Sequence, residues 1–202
     1  MSMRSIFAAF AALAVIAPAA LRAQTEDIDF AKARREFVAG QPRATANTLV
    51  ESSLGVRQQV GRCRDEVVGQ QLLDAESNLE KLATALRAGT VKDVKALDAA
   101  LTSIDRSLAH HHLLLVKTVL ARPRPDNIPT AVSDLDRSAF HYERSIALNG
   151  TKLTPEQSSA VADVRKLSKD IETTNAIPNV ANLVVTSFEK LMVAATTATA
   201  SK

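Results

Sequence analysis

Apolar side chains recur at alternating steps of three and four along most of the chain, and the longest such run lies between residues 65 and 120. Its first arm carries Val68, Leu72, Ala75, Leu79, Leu82 and Leu86, and its second carries Val94, Leu97, Leu101, Ile104, Leu108, Leu115 and Val119. That stepping keeps the apolar residues on one side of an α-helix, and neither arm holds a proline to interrupt the backbone ladder. With Ala88-Gly89-Thr90 supplying the turn and Thr90 the cap, the pattern predicts two long helices packed antiparallel by knobs into holes.

Shorter segments with the same period flank this hairpin. Residues 26–39 and 44–60 read as helices separated by Gly40-Gln41-Pro42, and Gly61 with the polar residues after it breaks the chain before the first long arm. Pro123 and Pro125 stiffen the connector after the second arm. Residues 129–148 then form a helix with Ala131, Leu135, Ala139, Tyr142 and Ile146 inward, ended by Asn149-Gly150. Thr154, Pro155 and Gln157 make a capping box for a helix whose apolar face is Val161, Val164, Leu167 and Ile171. A last helix over 180–195 presents Leu183, Val184, Phe188 and Leu191. No segment alternates as a strand does. The expected architecture is all-α: an antiparallel bundle of six or seven helices around the 65–120 hairpin, one domain over 24–197, with a disordered tail at 198–202. Helix, Gly/Pro loop, helix, Gly break and helix occur at 28–88 and again at 91–174, so the pattern also reads as a duplicated three-helix unit.

Composition sharpens this picture. The chain of 202 residues is 46% hydrophobic but only 3% aromatic, so its core must be aliphatic and its backbones close, which suits helices. Residues 1–23 stand apart: Arg4 precedes an apolar run over 6–17, and alanines follow at 17, 19, 20 and 23. This is the pattern of a secretory signal cut after Ala23, and the run is short for a membrane span. The mature chain is expected in the periplasm or outside the cell, without stable membrane insertion. Cleavage removes Arg4 and Arg22 but no acid, leaving 23 basic against 22 acidic residues, and that near-neutral balance excludes a nucleic-acid partner held by net charge.

Candidate chemistry is sparse. No Walker loop, GxGxxG, nucleophile elbow, HExxH or CxxCH occurs, so no catalytic residue and no cofactor is expected. Cys63 is alone and continues the series Leu49, Ser53, Val56, Val60 and Val67, which predicts a buried small hydrophobe. His110, His111, His112 and His141 are the remaining candidates. Folding the first hairpin about Gly89 sets His110 to His112 opposite 66–68, and a turn near Pro125 sets His110 opposite Phe140. His111, His112, His141 and Glu66 then share one layer, and imidazoles with a carboxylate suit Zn or Cu, or haem iron. Successive helical residues point about 100° apart, so His111 continues the seam, His112 borders it and His110 points away.

Two stretches resemble known families. The spacing Phe37, Gly40, Ala44, Ala46, Leu49 resembles a tetratricopeptide hairpin over residues 30–56, without that repeat's later small-residue and proline positions. Leu153-Thr154-Pro155-Glu156-Gln157 resembles the LTxxQ motif of the Spy/CpxP family of periplasmic helical chaperones, which carries it twice where this chain carries it once. That resemblance implies a chaperone. Together the features lead to the expectation of a non-catalytic exported protein that binds another protein or peptide, with a histidine-based metal or haem protein as the competing expectation.

Overall fold

The computed structural model describes residues 30–63 and 65–200, with side chains to residue 193, and these form seven helices and no strand. In chain order they are α1 (Phe30–Val38), α2 (Pro42–Val60), α3 (Glu66–Arg87), α4 (Val94–Ala121), α5 (Ile128–Leu148), α6 (Pro155–Thr174) and α7 (Ala181–Ala200). The chain is thus an all-helical bundle. The expected signal at 1–23 lies outside the described residues. Among the described residues no helix is long and apolar enough to cross a membrane.

The helix ends follow from local chemistry. Pro42 opens α2, where a missing N–H leaves no bond unmade. The Asp65 carboxylate accepts from the Val68 N–H at 3.0 Å and so starts α3. At α6 the Thr154 hydroxyl accepts from the Gln157 N–H at 3.2 Å while the Gln157 side chain accepts from the Thr154 N–H at 2.9 Å. The residues that resemble the LTxxQ motif therefore have a complete structural use as a helix start.

Two ends differ from expectation. Asp93, not Thr90, caps α4, accepting from the Lys95 N–H at 2.9 Å. Thr90 instead donates its hydroxyl back to the Ala85 carbonyl, closing α3, and a carboxylate is the better acceptor at the positive end of a helix. The last helix runs on to Ala200, so residues 198–200 of the expected tail are helical; its alanine-rich end has no glycine or proline to stop it.

Burial is divided between two clusters that share α4. Leu97, Leu101, Ile104 and Leu108 pack with α1, α2 and α3, whereas Ala109, Leu113, Val116 and Leu120 pack with α5, α6 and α7. The cores thus flank α4 symmetrically, rather than forming the two consecutive three-helix units that a duplication predicts. Because α4 changes partners near Leu108, its buried face rotates there, and Leu115, expected on the seam, is only half-buried. The face of α7 is also turned from the expected one. Ala181, Val185, Phe188 and Met192 are inward, with the small Ala181 at the contact, while Leu183 is 69% exposed. Val67 is likewise exposed and Cys63 half-buried, since the loop between α2 and α3 breaks the apolar series that was expected to run through them.

Leu101→Ala in one core and Leu113→Ala in the other should each lower unfolding free energy by about 2–5 kcal/mol in urea titrations, whereas Leu183→Ala should change it by less than about 0.5 kcal/mol. A surface-like loss at Leu101 or Leu113 would show that the shared-helix arrangement is misassigned.

Candidate functional site

The feature with the most chemistry lies where α4 changes cores. α4 and α5 each carry an aspartate followed seven residues later by a histidine: Asp105 and His112 on one, Asp134 and His141 on the other. Seven residues are about two turns, so both groups project from the same face of their helix. Antiparallel packing then crosses the pairs. His112 Nδ1 lies 2.9 Å from Asp134 Oδ1, and His141 Nδ1 lies 2.9 Å from Asp105 Oδ1. The two rings stack between them at 5.6 Å with planes 3° apart, an approximately two-fold arrangement. All four side chains are at most 5% exposed. A buried imidazole facing a carboxylate donates its Nδ1–H, which leaves Nε2 as the free basic nitrogen.

A cation breaks the symmetry on one side. Arg144 on α5 grips Asp105 through Nε to Oδ2 at 2.8 Å and Nη2 to Oδ1 at 2.6 Å. Its guanidinium sits 4.8 Å from the ring centres of both Phe30 and Phe140, so α1 is joined to the α4–α5 pair by the same charge. On the other side the second oxygen of Asp134 is buried without a hydrogen-bond partner. Ser138, at the same level, donates to the Ala109 carbonyl at 2.7 Å.

Next to this layer His111 is 1% exposed, and neither ring nitrogen has a hydrogen-bond partner. Burial, reinforced by the neighbouring His112, Arg62 and His110, pushes its pKa down to about 4. Burial also lowers His141, although Asp105 pulls the other way. Both rings are therefore neutral at pH 7. His110 points out of the layer, its Nε2 3.7 Å from Glu189 Oε1, and Glu189 is itself held by Lys117 at 2.8 Å.

Of the expected ligand set, the structure brings His111, His112 and His141 together, with neighbouring ring centres 5.4 and 5.6 Å apart. Glu66 is not among them. It is exposed in the first turn of α3, because Val68, two residues on and so on the opposite side, is the one that turns inward. The expected pairing of His110 with Phe140 is off by about one turn, since the partners are His112 with Asp134 and Asp105 with His141. Among the described residues no three of His, Cys, Asp and Glu converge as a metal ion requires. Sequence reasoning missed Asp105, Asp134 and Arg144. The repeated seven-residue interval from aspartate to histidine was the signal that could have found the first two.

A second feature adjoins the layer. An open groove of about 600 Å³ runs between α3 and α4, with Asp74 and Asn78 on one wall and Ser103, Arg106 and His110 on the other. Tyr142 and Met192 supply apolar surface to it from α5 and α7. Comparison of the chain with protein-family models, with curated proteins and with solved structures gives no match.

Asp105→Asn should cost about 3–5 kcal/mol in urea unfolding at pH 7, because it leaves the partly buried Arg144 without its anion. Asp74→Asn in the groove wall should stay within about 0.5 kcal/mol of the parent.

Proposed function

We propose that this protein is an exported, non-catalytic binding protein that takes a peptide segment of another protein into the groove between α3 and α4. The observation that carries this reading is the composition of the groove. Side-chain amides and hydroxyls at Gln71, Asn78, Ser103, Ser107 and Asn149 offer donors and acceptors that match a peptide backbone, and Tyr142, Met192 and Val193 offer apolar surface for its side chains. Asp74 and Arg106 on opposite walls give such a segment a direction. Export rests on the Arg4, apolar-run and alanine pattern of residues 1–23. A chaperone of unfolded clients is the sharpest form of the proposal. At near-stoichiometric ratio the protein should suppress aggregation of reduced α-lactalbumin, and Ser103→Trp, which fills the groove from an exposed position, should lose that effect with stability unchanged. No suppression at several-fold excess of the parent protein would count against it.

The competing reading, a protein that binds a divalent transition metal or haem through its histidines, is favoured by one observation. The Nδ1 of both His112 and His141 is held by a carboxylate, the support that ligand imidazoles commonly have. Tag-free calorimetric titration with Zn²⁺ and Cu²⁺ separates the two. The metal reading expects micromolar binding that weakens as pH falls below about 6.5 and is lost in His112→Ala and His141→Ala. Heat that is absent, or that survives both changes, removes it.

A further inference from the structure

Tyr142 stands one residue beyond His141 on α5, as Arg106 stands one beyond Asp105 on α4. His141 and Asp105 face each other, and the next residue of a helix turns about 100° away, so both side chains leave the buried layer and line the groove. The tyrosine ring is fixed edge-to-face against Phe188 of α7, with ring centres 5.3 Å apart. Only 1% of the residue is exposed, which puts its hydroxyl on the groove floor, and no described residue accepts its proton. Buried tyrosines ordinarily find a partner for the O–H, and a buried donor left without one is costly. Burial raises the Tyr142 pKa, while the Gln157 side chain and the charge of Arg106 pull it down. The Gln157 oxygen already accepts from the Thr154 N–H, so the end it turns to the hydroxyl is its own N–H2. This corner therefore holds donors and positive charge but no acceptor. The carboxylates of the region are engaged elsewhere: Asp105 with His141 and Arg144, and Asp74 on α3 with the Gln70 amide at 3.0 Å.

We propose, resting on the peptide reading of the groove, that it selects a segment bearing one acidic side chain, whose carboxylate accepts the Tyr142 O–H and is favoured by the charge of Arg106. A carboxylate supplies both the missing acceptor and the negative charge that Arg106 and the Gln157 N–H favour together, whereas a backbone carbonyl supplies only the first. Reach decides for a side chain over a chain terminus. The hydroxyl is on the floor, and a glutamate extends down to it from a backbone that stays between the walls. Residues on either side of that glutamate meet the apolar surface of Met192 and Val193, so small or aliphatic neighbours suit them. Asp74 on the α3 wall repels a second acid, which limits the segment to one.

Recognition and stability then pull in opposite directions at one oxygen. In the free protein the hydroxyl is a buried donor without an acceptor, so deleting its oxygen removes a cost. With the acidic segment bound, the same oxygen makes a charge-assisted hydrogen bond, and deleting it removes that bond. A tyrosine whose hydroxyl instead tied α5 to its neighbours would lose stability on becoming phenylalanine.

The test is fluorescence anisotropy with three pools of decapeptides, labelled at the N-terminus with an uncharged dye and randomised over Ala, Ser, Leu and Val everywhere but the fifth position. One pool has Glu there and an amidated end, the second Gln and an amidated end, the third Gln and a free carboxylate. The Glu pool should bind at least about tenfold more tightly than either Gln pool, and Tyr142→Phe should bring it down to their level. Urea unfolding of Tyr142→Phe without peptide should give a midpoint equal to or above the parent's. A Glu pool no better than the amidated Gln pool, a Glu advantage that survives Tyr142→Phe, or a free-carboxylate pool that matches the Glu pool would each overturn the acidic side chain while leaving peptide binding in place. A lowered midpoint would overturn it by giving the hydroxyl a structural part. No binding of any pool would overturn the peptide reading itself, and the acidic side chain with it.

Discussion

The fold depends on a single helix being buried twice. α4 has 28 residues and spans about 42 Å, too long for one small core to cover, so its first half packs on α1 to α3 and its second on α5 to α7. Successive helical residues point about 100° apart, so a stripe that restarts one residue later, at Ala109 instead of continuing from Leu108, meets a different set of helices. Leu97 to Leu108 face one way, and Ala109 to Leu120 are rotated to face the other. Where the faces change, neither core can supply a full set of aliphatic neighbours. Polar groups occupy that level instead.

Those groups divide by how well their burial is offset. The crossed pairs of His112 with Asp134 and His141 with Asp105 satisfy one another, and Arg144 between two phenylalanine rings neutralises Asp105. Such pairs add little net stability over an apolar core of the same shape, but removing one member is costly, so they hold α4 and α5 to one register. His111 is different, because nothing offsets its burial. A buried polar group without a partner costs about 1–3 kcal/mol, a large share of the stability of a small domain. The groove and the unpartnered ring both lie along α4.

Much of this was legible in advance. The all-helical architecture followed from the three- and four-residue stepping, and the buried faces of α3, α5 and α6 followed from Leu72, Leu79, Leu135, Ala139, Val164 and Leu167. The inward turn of His111 and the outward turn of His110 followed from the helical angle between neighbours. Glu66 was misplaced because its layer was set by counting from the turn alone, which ignores which face of α3 Val68 must bury. Asp105, Asp134 and Arg144 were overlooked because a charged residue on a helix is usually solvated, and only the facing helix reveals that these are not.

Periodicity, caps and breakers act through bonds and neighbours within a few residues, so the sequence by itself determined where most of the helices lie, which way the apolar stripes of α3, α5 and α6 point and that no strand competes with them. Which stripe meets which is a different matter. It depends on how seven stripes together bury the most apolar area, and a slip of one turn between α4 and α5 is invisible from either helix alone. Only the tertiary structure decided that α4 serves two cores, that two aspartates cross to two histidines, and that one imidazole is left buried without a partner. Each of these is a relation between residues distant in the chain, set by the whole packing arrangement rather than by any segment of it.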